Sequence, residues 1–209
     1  MLLSTWWLFF AACWAISLSP GAGAIACMSS GLQYGFRRGF WNALGLQLAL
    51  VLQVLIVAAG VGALVAASTW GFALIKWFGV GYLLWLALLQ WRALPVDLQA
   101  AAGAHVPGRR LNLVLRGFLV NASNPKAVVF ILAVLPQFVR PEAPMAQQYV
   151  LMGTTMVAVD LVVMAAYTGL AARVLRALRS PRQQRLLNRS FAVLFVLAAL
   201  LLAGLRQAG

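Results

Sequence analysis

Acidic side chains are almost missing from this chain. There are three Asp and Glu among 209 residues, against sixteen Lys and Arg and a single His. Charged residues of both signs make up 9% of the sequence, where a soluble domain carries about 25%. That is too little charge to clothe a water-exposed surface. Cysteine is scarce too. Cys13 and Cys27 both fall in the first apolar run, about 21 Å apart along a continuous helix, too far for a disulfide. They are expected to be buried free thiols. HExxH, G-x-S-x-G, CxxC and the P-loop are all absent, which leaves no recognisable metalloprotease, serine-nucleophile, redox or nucleotide-binding motif. The lone His105 sits in a loop and is given no role. No enzyme, metal or cofactor is expected.

What is abundant is apolar: 64% of the residues, with a mean hydropathy of +0.92. A membrane span takes roughly 20 apolar residues, and the chain divides into six such runs. They are read as Leu2–Met28, Phe40–Ala66, Phe72–Trp91, Leu111–Phe138, Tyr149–Ala171 and Phe191–Leu205. Trp70 and Trp91 bracket the third run and suit the two membrane interfaces. Residues 1–27 lack the basic leader of a signal peptide and are kept as a span. The expected fold class is an all-α membrane protein in one transporter domain, 1–209. Repeat one covers about 1–91, a cytoplasmic loop about 92–110, and repeat two about 111–209.

The net charge of +13 does not point to nucleic acid, because no soluble domain is there to carry a basic face. The arginines lie between apolar runs instead. Arg37, Arg38, Arg92, Arg109, Arg110, Arg116, Arg173, Arg176, Arg179, Arg182, Arg185 and Arg189 fall on one side. Lys76, Arg140 and Arg206 fall on the other. Twelve against three puts the odd-numbered loops in the cytoplasm and both termini in the periplasm. The fifth loop, with an arginine every three or four residues, reads as an interfacial helix. The Asp97–His105 stretch of the third loop reads as a mobile segment.

Two spans contain a proline behind a capping residue: Ser19-Pro20-Gly21 and Asn124-Pro125-Lys126. Ser and Asn are favoured N-caps, and Pro is favoured at the first helical position. Each triplet therefore reads as a helix start inside the membrane. The breaks lie 105 residues apart, each in the first span of a three-span group. Three spans per group make the groups antiparallel, the layout of an inverted repeat whose broken helices flank a central site. Two half-helix N-termini meeting there would attract a carboxylate. Chance placement of proline, common in membrane helices, is the alternative.

Lys126 and Asp160 are the two charges within spans. In lipid such residues face a partner or a cavity, and mutual pairing is the economical reading. As a site, Lys126 would take a substrate carboxylate, and Asp160 the amine or a proton. Gly153, Asp160 and Tyr167 share a helical face, as do Asn42, Gly45, Ala49 and Gln53. The glycines suit a packing seam as well as a cavity wall. Gln53 and Tyr167 are assigned to the cavity.

Several segments carry a resemblance: SLSPGAGA at 17–24, GLQLAL at 45–50, KWFGVGYLLWL at 76–86, FLVNASNPKAVVF at 118–130, PQF at 136–138 and VDLVVM at 159–164. From Trp6 to about Ala203 the chain resembles the LysE-type amino-acid exporters, in the homoserine/threonine branch. The resemblance implies a six-span exporter driven by the proton motive force. Its substrates would be small neutral amino acids such as homoserine, homoserine lactone or threonine, and its partners protons and the inner-membrane bilayer. It carries over Ser19, Pro20, Gly21, Asn124, Pro125 and Lys126 as substrate-site positions and Asp160 as the proton-coupling one. Where many members read Pro-Asn after the first break, this chain has Ala22-Gly23. The alternatives are a membrane scaffold without transport and an exporter of another amino-acid class. A homo-oligomer is left open.

Overall fold

Hydrocarbon offers backbone amides no water, so an apolar chain must satisfy them within helices. The computed structural model describes residues 3–67, 69–95, 108–140, 143–171, 173–174 and 180–204, with the backbone alone at 61–67, 69–76, 133, 201 and 202. Among these there is no strand. The described residues form seven α-helices: α1 (Leu3–Leu18), α2 (Ala22–Ala67), α3 (Thr69–Arg92), α4 (Arg110–Ala122), α5 (Pro125–Val134), α6 (Met145–Gly169) and α7 (Pro181–Gly204). A 3-10 turn, Leu135–Phe138, extends α5. The Asp97–His105 stretch, Arg176, Arg179 and Arg206 lie outside the described residues, as do the side chains of Trp70 and Lys76.

Two helical runs are long and apolar enough to cross a membrane, Ala22–Gly60 and Met145–Gly169, with mean hydropathies of 2.2 and 1.8. The pair Arg110–Ala122 and Pro125–Phe138, bent by 57°, makes a third if counted as one span. α1 has 16 residues, about 24 Å at helical rise, and is short of a span by itself. The expected six-span layout is thus met in part by these helices.

Three element boundaries differ from expectation. The turn between the first two predicted spans is a single residue, Gly35, at φ 70° and ψ 174° inside α2. Only glycine adopts that backbone without strain, so the helix bends there and resumes at once. Of the predicted interfacial helix of the fifth loop, residues 175–179 lie outside the described residues, and the rest joins the last helix. Arg182, Arg185 and Arg189 form the first turns of α7, continuous with its apolar part. At the first break, Ser19 is not the cap. α2 begins at Ala22, with the Gly21 carbonyl accepting from Ile25 N–H at 3.0 Å, and Ser19 and Pro20 form the gap.

The second break is as expected. Asn124 has extended geometry (φ −79°, ψ 105°), its side chain accepts from Lys126 N–H, and Pro125 stands at the first helical position. That hydrogen bond is 3.1 Å long.

Packing draws both breaks together. α2 lies against α4 and α6, and α3 lies against α7. The α2–α4 seam is made of glycines: a Cβ on Gly45 would strike the Val114 carbonyl, and one on Gly117 would strike the Asn42 carbonyl. Gly45 is therefore a packing residue, not a cavity wall. Gly153 faces Val54, 3.4 Å from where its Cβ would sit, and is also packed. Around these seams lies an apolar core that includes Phe9, Leu50, Leu83, Ile131, Met152 and Phe195, drawn from six of the helices. At one end of the α3–α7 pair, Arg189 lies over the Trp91 ring at 5.1 Å, and Gln90 donates to Asn188 at 3.0 Å.

Candidate functional site

A cavity of about 70 Å³ opens between the two breaks. Its walls come from the α1–α2 junction (Ser17, Ser19, Gly21, Gly23), from the α4–α5 junction (Asn121, Asn124, Lys126), and from α6 (Met156, Asp160, Met164). Leu46 and Leu50 of α2 and Phe130 and Ile131 of α5 add apolar surface. The first turns of α2 and α5 both border it, so two positive helix ends face one space.

Lys126 and Asp160 share this cavity but do not pair. Among the described residues no ion pair joins them within 4.0 Å. The Lys126 ammonium donates to the Ser19 carbonyl at 2.7 Å. That carbonyl stands just past the C-terminal end of α1, where a helix presents partial negative charge. Asp160 accepts from Gln47 Nε2 at 2.6 Å, and Ser17 stands beside the same carboxylate. Each charge has found neutral partners of its own, which explains why the expected mutual pair is not formed. The result is a cavity with a cationic pole and an anionic pole held apart, a geometry that suits a zwitterion.

Of the residues singled out from sequence, Ser19, Gly21, Asn124, Lys126 and Asp160 line the cavity. Pro20, Pro125, Gln53 and Tyr167 do not. The prolines shape the breaks, and the Pro125 carbonyl accepts from Tyr82 OH at 3.1 Å. Gln53 donates to the Asn121 carbonyl at 3.0 Å, and Asn121 in turn donates to the Leu46 carbonyl at 2.9 Å. Together they tie the end of α4 to α2. Tyr167 OH donates to the Leu18 carbonyl at 2.8 Å. Gln53 and Tyr167 are thus braces on helix ends. Asn42, from the same predicted stripe as Gln53, is fully buried and donates to Cys27 Sγ at 3.5 Å.

Sequence reasoning missed Ser17, Gln47 and Asn121. Gln47 lies off the stripe that runs through Asn42 and Gln53, so periodicity alone passed it over. The available signal was chemical: a carboxylate inside a span needs donors, and Gln47 is a donor on the neighbouring helix. Both thiols are buried and free, as expected, and Cys13 forms part of the cavity wall. Among the described residues no group of three His, Cys, Asp or Glu side chains is placed to hold a metal ion.

The LysE type translocator family matches residues 14–205. The chain is 38% identical, over the whole length of both proteins, to the homoserine/homoserine lactone efflux proteins of Salmonella typhimurium and Salmonella typhi. It is 26% identical to the leucine efflux protein of an Enterobacter species, over 95% of each chain. No solved structure matches it. With a family match across nearly all of its length and relatives above a third identical, this apolar, all-helical membrane chain belongs to the LysE-type translocators.

Proposed function

We propose that this protein exports small neutral amino acids, with homoserine, homoserine lactone and threonine as the leading substrates, using the proton motive force. The observation that carries this reading is the cavity at the two helix breaks, with Lys126 at one pole and Asp160 at the other. An amino acid is a zwitterion. Its carboxylate suits Lys126 and the two helix N-termini, and its ammonium suits Asp160, which in turn is free to take up a proton when the amine leaves. The relatives of equal length are named for efflux of homoserine and its lactone, which supports the same substrate class. A second substrate class has its own support. The apolar wall of Leu46, Leu50, Phe130 and Met156 would accept leucine, and another relative is named for leucine efflux. A dibasic substrate fits poorly, because its second amine would need a second carboxylate and Asp160 is the one that lines the cavity.

Overproduction in a bacterial host should lower internal homoserine or threonine, raise resistance to both, and lose this effect with an uncoupler. Leucine run in parallel ranks the two substrate classes. Unchanged efflux of every small neutral amino acid would overturn the proposal.

The membrane arrangement belongs to the same reading. Six spans in two inverted repeats, with α1 and the first arm of α2 as one broken span and α4 with α5 as the other, would put the cavity at mid-membrane. The arginine bias then places both termini on the periplasmic side of the inner membrane. Alkaline phosphatase fused after Gly209 should be active, and the same reporter inserted within 100–106 should be silent. The opposite pattern would refute the orientation.

A further inference from the structure

The C-terminal end of α1 is held by two side chains from the second half of the protein. Tyr167 OH reaches the Leu18 carbonyl at 2.8 Å, and Lys126 Nζ reaches the Ser19 carbonyl at 2.7 Å. The donors lie 149 and 107 residues away in sequence, on α6 and at the start of α5. They meet α1 where its backbone is interrupted, at the Ser19-Pro20 gap. A helix leaves its last carbonyls without intrahelical donors, so these two bonds fix a segment that would otherwise be loosely held. The two donors differ in one respect. Lys126 lines the cavity, while Tyr167 stands outside it.

We propose that Tyr167 and Lys126 form a latch on α1, released by the substrate's carboxylate drawing Lys126 from the Ser19 carbonyl, with Tyr167 as a positioning residue that sets how firmly the latch is closed. This rests on the reading of Lys126 as the carboxylate-binding group. The chemistry favours the exchange. A carboxylate brings a full negative charge to the ammonium where a carbonyl brings only a dipole, so the Coulomb attraction favours the carboxylate, and both acceptors compete for one Nζ. In the empty site the neutral carbonyl has the ammonium to itself, and the carbonyls at the end of α1 are pinned at two points. Once a carboxylate enters, only the Tyr167 bond of these two remains on the last carbonyls of α1, while Trp6 still donates to Thr155 at 3.2 Å and Ser17 still stands beside Asp160, so it is the α1–α2 junction that is free to move as the first element of opening. Ser19 fits the role of a moving part. Its hydroxyl is buried without a partner in the latched state, so displacing it breaks no hydrogen bond of that side chain.

Tyr167→Phe tests this by deleting one oxygen while keeping the ring that packs against the Cys27 and Met28 clusters. Cys13 supplies the first readout, because it lines the cavity yet is 1% exposed. In full-length protein carrying Cys27→Ser, a water-soluble methanethiosulfonate should modify Cys13 only when the junction opens. Tyr167→Phe should speed that reaction about fivefold, the factor that one hydrogen bond of ordinary net strength supplies. The second readout is homoserine efflux. With the latch weakened, the ligand works against less, so KM should fall by up to about fivefold at unchanged kcat. A merely structural role would instead lower protein level or kcat and leave KM where it was. An unchanged Cys13 rate overturns the latch. A faster rate with unchanged KM overturns its release by ligand. If the wild type moves neither homoserine nor leucine, the export reading falls, and the labelling experiment still decides whether Tyr167 holds α1.

Discussion

Lys126→Met and Asp160→Asn are each expected to lower homoserine efflux by about 30-fold or more, at near-normal protein levels in the membrane. Truncating one member of a desolvated, hydrogen-bonded charge contact costs about 2–5 kcal/mol, and the lower bound gives that factor. Neither change should prevent folding. Asn at 160 keeps an oxygen for Gln47 Nε2, and Met at 126 keeps the length of the lysine stem. The double variant decides what the two charges are for. Were they only neutralising one another, removing both would restore what removing one had damaged. Since they make separate contacts, with Ser19 and with Gln47, the double variant should be no better than either single one. Exchanging the two residues should be inactive as well, because it sets a carboxylate against the Ser19 carbonyl.

Substrate chemistry sharpens the test. Homoserine lactone has an amine but no carboxylate, so Lys126→Met should impair its export much less than that of homoserine. Asp160→Asn should impair both alike. Efflux assays on the two substrates side by side give the answer. A transport-competent double variant, or equal losses for homoserine and its lactone in Lys126→Met, would move the carboxylate site away from Lys126.

The residues that announced the site in the sequence were those with local rules. Asn124-Pro125 obeys the N-cap and first-turn preferences, and the helix starts where those preferences put it. Lys126 and Asp160 stood out because charge in hydrocarbon is costly, and both line the cavity. Family membership was legible in the segments around the same two breaks. The errors have a common physical origin. Each break in a membrane helix creates two ends, and the sequence reading followed only the N-termini. The C-terminal ends also need partners, for their carbonyls. Those carbonyls claim the Lys126 ammonium and Tyr167 OH at α1, and Gln53 at α4. A polar residue in a span needs a partner, but the partner here is often the broken backbone and not a substrate.

Rotation of one helix against another was the other missing quantity. Periodicity groups residues into faces but does not say which face meets which neighbour. Gln47 was passed over for this reason, although it donates to Asp160 at 2.6 Å. Opposite signs likewise suggested a Lys126–Asp160 pair, whereas the distance between them depends on how α5 and α6 are turned. Gly35 was hidden for a different reason. A single residue at positive φ bends α2 without the polar loop that a sequence reader expects between spans.

Gly117→Val and Gly45→Val should each be severely damaging, although neither residue lines the cavity. At these two positions the backbones of α2 and α4 touch. A Cβ at 117 would collide with the carbonyl of Asn42 and lie 3.0 Å from Leu46 N; one at 45 would collide with the carbonyl of Val114 and lie 2.9 Å from Phe118 N. These obstacles are main-chain atoms of regular helices, so no rotamer change relieves the clash and the helices must separate. Separation costs packing along the seam, which is the principal force between helices in lipid. It also pulls on the bonds from Asn121 to the Leu46 carbonyl and from Gln53 to the Asn121 carbonyl, at 2.9 and 3.0 Å, which set the position of the α4–α5 break. Overpacking costs about 1–3 kcal/mol, and each lost hydrogen bond adds about 1 kcal/mol. Together these come to about 3–5 kcal/mol, which takes a large share of the about 5–15 kcal/mol by which a folded protein is ordinarily stable and removes it entirely at the lower end of that range. The measurement is detergent-extracted, monodisperse protein and its Tm, with Gly60→Ala and Gly81→Ala as controls, because a Cβ at either meets nothing within 4 Å. Both controls should hold wild-type yield and Tm, while Gly117→Val and Gly45→Val lose most of the yield. Wild-type behaviour of the valine variants would mean that α2 and α4 do not meet backbone to backbone, and with that the cavity walls described above would have to be redrawn.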